Sequence, residues 1–112
     1  MAVVVASGLS TPGANTKTAD LVSGSYEFVG KGKITLIAKG SAAGILATLS
    51  VGGIMLCNDM AIVFTGTAGT LSVNDNILAS QTVSGGRVEL YLRNNTATAG
   101  TTADYLILFE PM

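Results

Sequence analysis

Short strand-like segments separated by glycine and Asn/Asp turns constrain this chain most strongly, because they leave little room for a helix. No window of twelve residues combines a helical apolar period with freedom from glycine. The clearest segment, Arg87–Arg93, places Val88, Leu90 and Leu92 on one side and its charged residues and Tyr91 on the other. This period of two predicts a half-buried strand.

The same signals predict a series of further short strands. These are Ser25–Val29, Lys33–Lys39, Gly44–Ser50, Ile54–Cys57, Met60–Phe64, Ile77–Val83 and Asp104–Glu110, with Val3–Ala6 as a possible edge strand. The pair Asn58-Asp59 predicts a turn, and Ser84-Gly85-Gly86 predicts a tight hairpin before Arg87. We therefore expect an all-β fold in residues 19–112: a single antiparallel β-sandwich of about eight strands, of jelly-roll or Greek-key type. A flexible N-terminal arm is expected over residues 1–18.

Charge and composition argue against several classes of function. The net charge of −1 provides no cationic stripe for nucleic acid, and one cysteine without any histidine provides neither a disulfide nor the usual catalytic triads. The carboxylates are scattered singly along the chain. We expect no enzymatic activity, no cofactor, no metal, no direct nucleic-acid contact and no small-molecule substrate.

One uncharged segment requires a comparison with membrane helices. The 19 residues Gly40–Asn58 lie between Lys39 and Asp59 and are long enough to span a bilayer as a helix. Seven of the 19 are Gly, Ser or Thr, Gly52-Gly53 falls where a strand would break, and neither flank carries a basic cluster. The sequence favours strands, with a membrane protein spanning at residues 40–58 as an alternative.

The low charge density predicts self-association. Only 12% of the residues are charged, about half the usual share, and Gly, Ala, Ser and Thr take their place. Such short side chains allow close approach of another surface and lose little rotamer entropy on burial. We therefore expect this protein to pack against copies of itself or another surface.

The C-terminal third shows a strand ending in Arg93-Asn94-Asn95-Thr96, a Thr/Ala/Gly loop and a last apolar strand finishing at Leu108-Phe109-Glu110-Pro111. This pattern resembles small all-β structural proteins of virions, namely the capsid decoration (cement) and minor capsid proteins of bacteriophages. The resemblance implies a non-enzymatic protein that forms trimers or larger oligomers and binds to, or forms part of, a capsid lattice. Lys17 is the only basic residue of the arm, which favours an outer or shell position over contact with the genome.

The expected assembly contacts lie in the arm, in the loop after Arg93 and in the last strand. They are Val3, Val4, Val5, Leu9, Pro12, Asn94, Asn95, Thr96, Thr98 and Tyr105. The expected location is the virion after synthesis in the host cytoplasm, because the N-terminus lacks the basic region of a signal peptide. A small carbohydrate- or ligand-binding β-sandwich module remains the first alternative, although six aromatic residues leave few for a sugar-binding face.

Overall fold

The structure is a computed structural model that describes residues 3–22, 27–40, 44–64, 77–97 and 101–112. The regular structure of these residues consists of β-strands. None of these residues is helical, which confirms the all-β prediction. The described strands are β1 (Val3–Ser10), β2 (Phe28–Val29), β3 (Gly32–Gly40), β4 (Ile45–Val51), β5 (Ile54–Ala61), β6 (Val63–Phe64), β7 (Ile77–Val83), β8 (Gly86–Asn94) and β9 (Ala103–Pro111).

The strands form two sheets. Sheet A has the order β1-β9-β3-β6, with β7 also paired to β3, and sheet B has the order β2-β8-β4-β5. Four antiparallel pairs are nested along the sequence: β4–β5 lies inside β3–β7, which lies inside β2–β8, which lies inside β1–β9. The short contact between β3 and β6 is parallel.

One apolar core joins the inner faces of the two sheets. Alternation along β8 sends Val88, Leu90 and Leu92 into this core, each fully buried, as the sequence pattern predicts. Sheet A contributes the inward side chains of β3 and β9, including Leu36 and Ile107. Burial of these large aliphatic side chains supplies the main driving force for folding.

The first residues differ from the expected flexible arm. Val3–Ser10 is strand β1, which pairs with β9 from Val3 opposite Phe109 to Ser10 opposite Ala103. Val5 is 7% exposed and belongs to the core. Backbone pairing and the burial of this valine therefore make residues 3–10 part of sheet A in this structure.

The segment Gly40–Asn58 is not a helix where it is described. Residues 45–51 form β4, and the Gly52-Gly53 turn, with positive φ at both glycines (60° and 82°), leads into β5. Within the described chain, no helix is long and apolar enough to cross a membrane.

Two predicted turns are also wrong. Asn58-Asp59 lies inside β5, where Asp59 has a φ of 49° and donates its backbone N–H to the Thr48 hydroxyl (3.0 Å), so the strand bulges instead of ending. Ser84-Gly85-Gly86 is not a hairpin, because β7 pairs in sheet A and β8 in sheet B. Of the predicted strand Ser25–Val29, residues 25 and 26 lie outside the described part.

Candidate assembly surfaces

The side of β8 that faces away from β4 pairs with β2 at Gly86 and Arg87. Beyond that pairing, the free side of β8 is covered by residues 15–22, which we call the covering segment. The backbone N–H of Thr18 donates to the Leu92 carbonyl (2.8 Å), and that of Leu21 donates to the Leu90 carbonyl (2.9 Å). These bonds occupy the side of β8 that faces away from β4. The edge of sheet B is thus closed by an irregular segment of the same chain.

Side chains complete this cover. The Thr18 hydroxyl accepts the N–H of Leu92 (3.1 Å), and Asp20 Oδ1 accepts the N–H groups of both Leu90 (3.1 Å) and Val22 (3.0 Å). Buried backbone donors left without acceptors are costly. Thr18 and Asp20 therefore supply acceptors that a regular neighbouring strand would otherwise provide.

Asn94 connects the chain just before the covering segment with the end of β8. Its side chain is fully buried: Nδ2 donates to the Pro12 carbonyl (3.4 Å), and Oδ1 accepts the backbone N–H of Thr96 (3.0 Å) and its hydroxyl (2.7 Å). The backbone N–H of Asn95 donates to the Gly44 carbonyl (2.8 Å). The predicted contact residues Pro12, Asn94 and Thr96 thus meet in an internal junction.

A group of charged side chains lies around the outer face of sheet B, which we call the charged face: Lys17, Asp20, Glu27, Asp59, Arg87, Glu89 and Arg93. The Arg87 guanidinium lies near three carboxylates, those of Asp20 (3.6 Å), Glu27 (3.9 Å) and Glu89 (3.8 Å). Arg93 pairs with Asp59 at 3.5 Å, and the Lys17 ammonium lies 4.8 Å from the centre of the Tyr91 ring. Opposite charges are largely matched within this face.

Strand β1 and its neighbour β9 present a different surface on the outer side of sheet A. Val4 lies opposite Leu108, and Leu9 lies opposite Asp104, whose side chain is buried. A β-carbon at Gly8 would meet the Tyr105 ring, which packs against the core, so the next residue, Leu9, points to the outer side. Val4 and Leu9 are 50% and 62% exposed. Together with the half-buried Leu106 and Leu108, they form what we call the apolar face.

A cavity of about 150 Å³ opens between the start of β1 and β2. Its lining is apolar and consists of Val3, Val5, Phe28, Val29, Gly30, Phe109 and Pro111. Phe28 is 65% exposed at its rim. Because the lining side chains carry no hydrogen-bonding group, the cavity suits an apolar group better than a sugar.

The ten predicted contact residues do not form one patch. Val4, Leu9 and Asn95 are exposed; Val3, Thr96 and Tyr105 are half-buried; Val5, Pro12 and Asn94 are buried; Thr98 lies outside the described residues. The exposed residues agree best with a contact role, while the buried ones hold the fold together. Their part in assembly stays a prediction.

Several exposed apolar residues were missed by the sequence analysis. They are Phe28, Ile54, Met55, Met60 and Ile77, between 42% and 66% exposed. A strand pattern identifies alternate faces, but these residues lie on short, bulged or edge strands where the face cannot be assigned locally.

Groups with reactive chemistry are few in the described part of the chain. No cluster of three or more cysteine and carboxylate side chains there could hold a metal ion. Cys57 is 4% exposed, and burial raises the pKa of its thiol, an effect that a backbone hydrogen bond with Leu49 partly opposes. A thiol held in its neutral form is a poor nucleophile.

No protein-family model, curated protein or solved structure matches this chain.

Proposed function

We propose that this protein is a non-enzymatic structural component of a virion that self-associates and forms part of, or decorates, a capsid. The proposed partners are copies of itself, as a trimer or larger oligomer, and a capsid lattice. The resemblance in the C-terminal third motivates the viral assignment.

The supporting observation is the number of large apolar side chains left on an otherwise weakly charged surface. Seven of those described, excluding the terminal Met112, are 42% to 66% exposed: Val4, Leu9, Phe28, Ile54, Met55, Met60 and Ile77. Contiguous exposed apolar surface is characteristic of interaction sites, and Val4 and Leu9 lie with the half-buried Leu106 and Leu108 on the apolar face. A protein that works within an assembly covers such side chains with its neighbours.

The connectivity supports the finer assignment of a jelly-roll β-sandwich. In a jelly roll, a long antiparallel strand pair folds over so that successive segments alternate between two sheets. The pairs β1–β9 and β3–β7 lie in sheet A, and β2–β8 and β4–β5 lie in sheet B. Viral capsid domains use this architecture, and so do lectins, which keeps the carbohydrate-binding alternative open to test.

The decisive experiment has two parts. Light scattering coupled to size exclusion, over a wide range of protein concentrations, should give a trimer or a larger closed assembly. Particles from the source of the sequence should then be purified on a density gradient, and mass spectrometry should find the protein in the particle band at constant stoichiometry.

A monomer at every concentration, together with absence from the particle band, would contradict the proposal. Glycan-array binding by such a monomer would instead favour the carbohydrate-binding module.

A further inference from the structure

Strand β1 presents an open backbone edge among the described residues. After a register shift at Val5, residues 6–10 pair with β9 without interruption, from Ala6 opposite Ile107 to Ser10 opposite Ala103. In the described chain, no strand pairs with the other side of β1. Alternate backbone N–H and C=O groups of this strand therefore point away from the sheet, where they can bond another strand.

The other edges of the two sheets are less suited to strand addition. The free side of β8 is closed by the covering segment. Strand β5 is interrupted by two register shifts and contains Asp59 in a left-handed conformation. Strand β7 lies beside β5, and the two strands line a cavity of about 100 Å³ together with the end of β4.

We propose that β1 pairs with β1 of a second copy, antiparallel and across a two-fold axis, so that the two sheets A become one continuous sheet. This inference rests on the proposed self-association and names the surface that carries it. Strand addition of this kind obtains its affinity from main-chain hydrogen bonds, and a two-fold interface uses the same surface on both copies.

The charge pattern selects a second copy as the partner. In a two-fold antiparallel pair, a charge near the middle of β1 would lie close to its own copy across the axis and destabilise the pair. Residues 1–16 contain no charged side chain. Edges that stay unpaired usually carry lysine or proline, and residues 3–10 have neither. The edge is therefore self-complementary and offers no charge to a charged partner.

The apolar face continues across the proposed contact. Val4 and Leu9 lie near the two ends of β1, and both are exposed in the single chain. In an antiparallel pair, Val4 of one copy comes to the same end of the contact as Leu9 of the other. Their approach on the outer side of the merged sheet would bury apolar surface that the isolated chain leaves in water.

A matched pair of lysine variants tests this contact. Ser7 is exposed at the middle of β1, and Ser80 is exposed on β7, the strand at the opposite side of sheet A. We expect Ser7→Lys to weaken self-association by about tenfold or more, measured by light scattering, because the two lysines approach each other across the axis. Ser80→Lys adds the same charge and should leave the association constant within about twofold. Circular dichroism checks that both variants fold.

Cysteine trapping gives a second, independent measurement. In a Cys57→Ala background, Ser7→Cys at the middle of β1 and the double variant Val4→Cys/Leu9→Cys are oxidised alongside Ser80→Cys as the control. Cross-linked dimers should form through residue 7, or between residue 4 of one copy and residue 9 of the other, because facing strands bring their β-carbons within disulfide distance. Absence of cross-linking in both β1 variants, or equal cross-linking at residue 80, would overturn the proposed pairing.

The outcomes separate this inference from the proposed function. If the protein forms oligomers that Ser7→Lys leaves unchanged, the β1 contact is wrong while self-association stands. If the β1 contact is found but the protein is absent from particles, the viral role fails and the contact stands.

Discussion

Strands β1 and β8 differ in whether the described chain covers their free sides. Residues 3–22 supply both β1, at the edge of sheet A, and the covering segment, at the edge of sheet B. The free side of β8 is bonded by the covering segment through backbone groups and through Thr18 and Asp20. The free side of β1 has no such partner among the described residues. The chain can close an edge with a short irregular segment, and within its described residues it does so along β8 and not along β1. The open edge is therefore the better candidate for contact with another molecule.

Among the substitutions considered at the covered edge, Asn94→Ala should lower the stability of the fold most. This change removes the buried amide that bonds Pro12 and Thr96, and it leaves a cavity at the end of β8. We expect the free energy of unfolding to fall by about 3 kcal/mol, because several buried polar groups lose their partner together. Chemical denaturation measures this loss.

The neighbouring Asn95→Ala is the matched control. Asn95 is exposed, so the same substitution should change the free energy of unfolding by less than about 0.5 kcal/mol. Equal losses in the two variants would show that the junction at Asn94 does not hold the covering segment in place.

Asp20→Ala tests the side-chain part of the cover. The N–H groups of Leu90 and Val22 would both lose the acceptor Asp20 Oδ1, at a cost of about 2 kcal/mol in the free energy of unfolding. Hydrogen exchange at the Leu90 amide should accelerate as well. Asp20→Asn keeps an acceptor oxygen but removes the charge beside Arg87, so most of the stability should return. If both variants lose equally, the ion pair is the important contact.

The covered edge shows which parts of this fold can be predicted from sequence. The alternation of Val88, Leu90 and Leu92 is local, and it predicts both the strand and its buried face correctly. The acceptor for the Leu90 N–H is Asp20, 70 residues earlier in the chain. No local pattern records such a pairing, because an aspartate that caps a turn and one that closes a sheet edge look alike in sequence.

The same limitation applies to the candidate contacts and to β1. Val4 and Leu9 are exposed as a contact role requires, whereas Asn94 is buried because the junction offers partners for both ends of its amide. Strand β1 pairs with β9 at the far end of the sequence, so its glycine and serines resemble an arm when β9 is not considered. Asn58-Asp59 forms a bulge because Thr48 of the neighbouring strand accepts its hydrogen bond.

Val5→Ala tests how β1 is held at the open edge. Val5 projects into the core, so loss of two methyl groups should lower the free energy of unfolding by about 1.5 kcal/mol. Val4→Ala, at an exposed position of the same strand, should cost less than about 0.5 kcal/mol. A neutral result for Val5→Ala would favour the flexible arm over a strand of sheet A.

The smallest expected effect concerns Tyr91, which lies on the charged face next to the covering segment. Partial burial, followed by the negative charges of Glu89 and Asp20, raises the pKa of its phenol above the ordinary value of about 10, and Arg87 opposes this shift. The neutral phenol is therefore favoured in the folded chain. Its contribution to stability is complete below the ordinary pKa and is lost as the pH rises through the raised pKa.

Glu89→Gln should lower the pKa of Tyr91, because it removes the negative charge that most strongly opposes phenolate formation. Ultraviolet absorbance of the phenolate measures the titration, and Tyr91→Phe identifies the contribution of this ring among the tyrosines. Glu110→Gln removes an equal charge from the exposed end of β9 and should leave the pKa of Tyr91 unchanged. An unchanged pKa in Glu89→Gln would mean that burial and Asp20 hold the phenol neutral without Glu89, because Arg87, 3.8 Å from the Glu89 carboxylate, screens its charge.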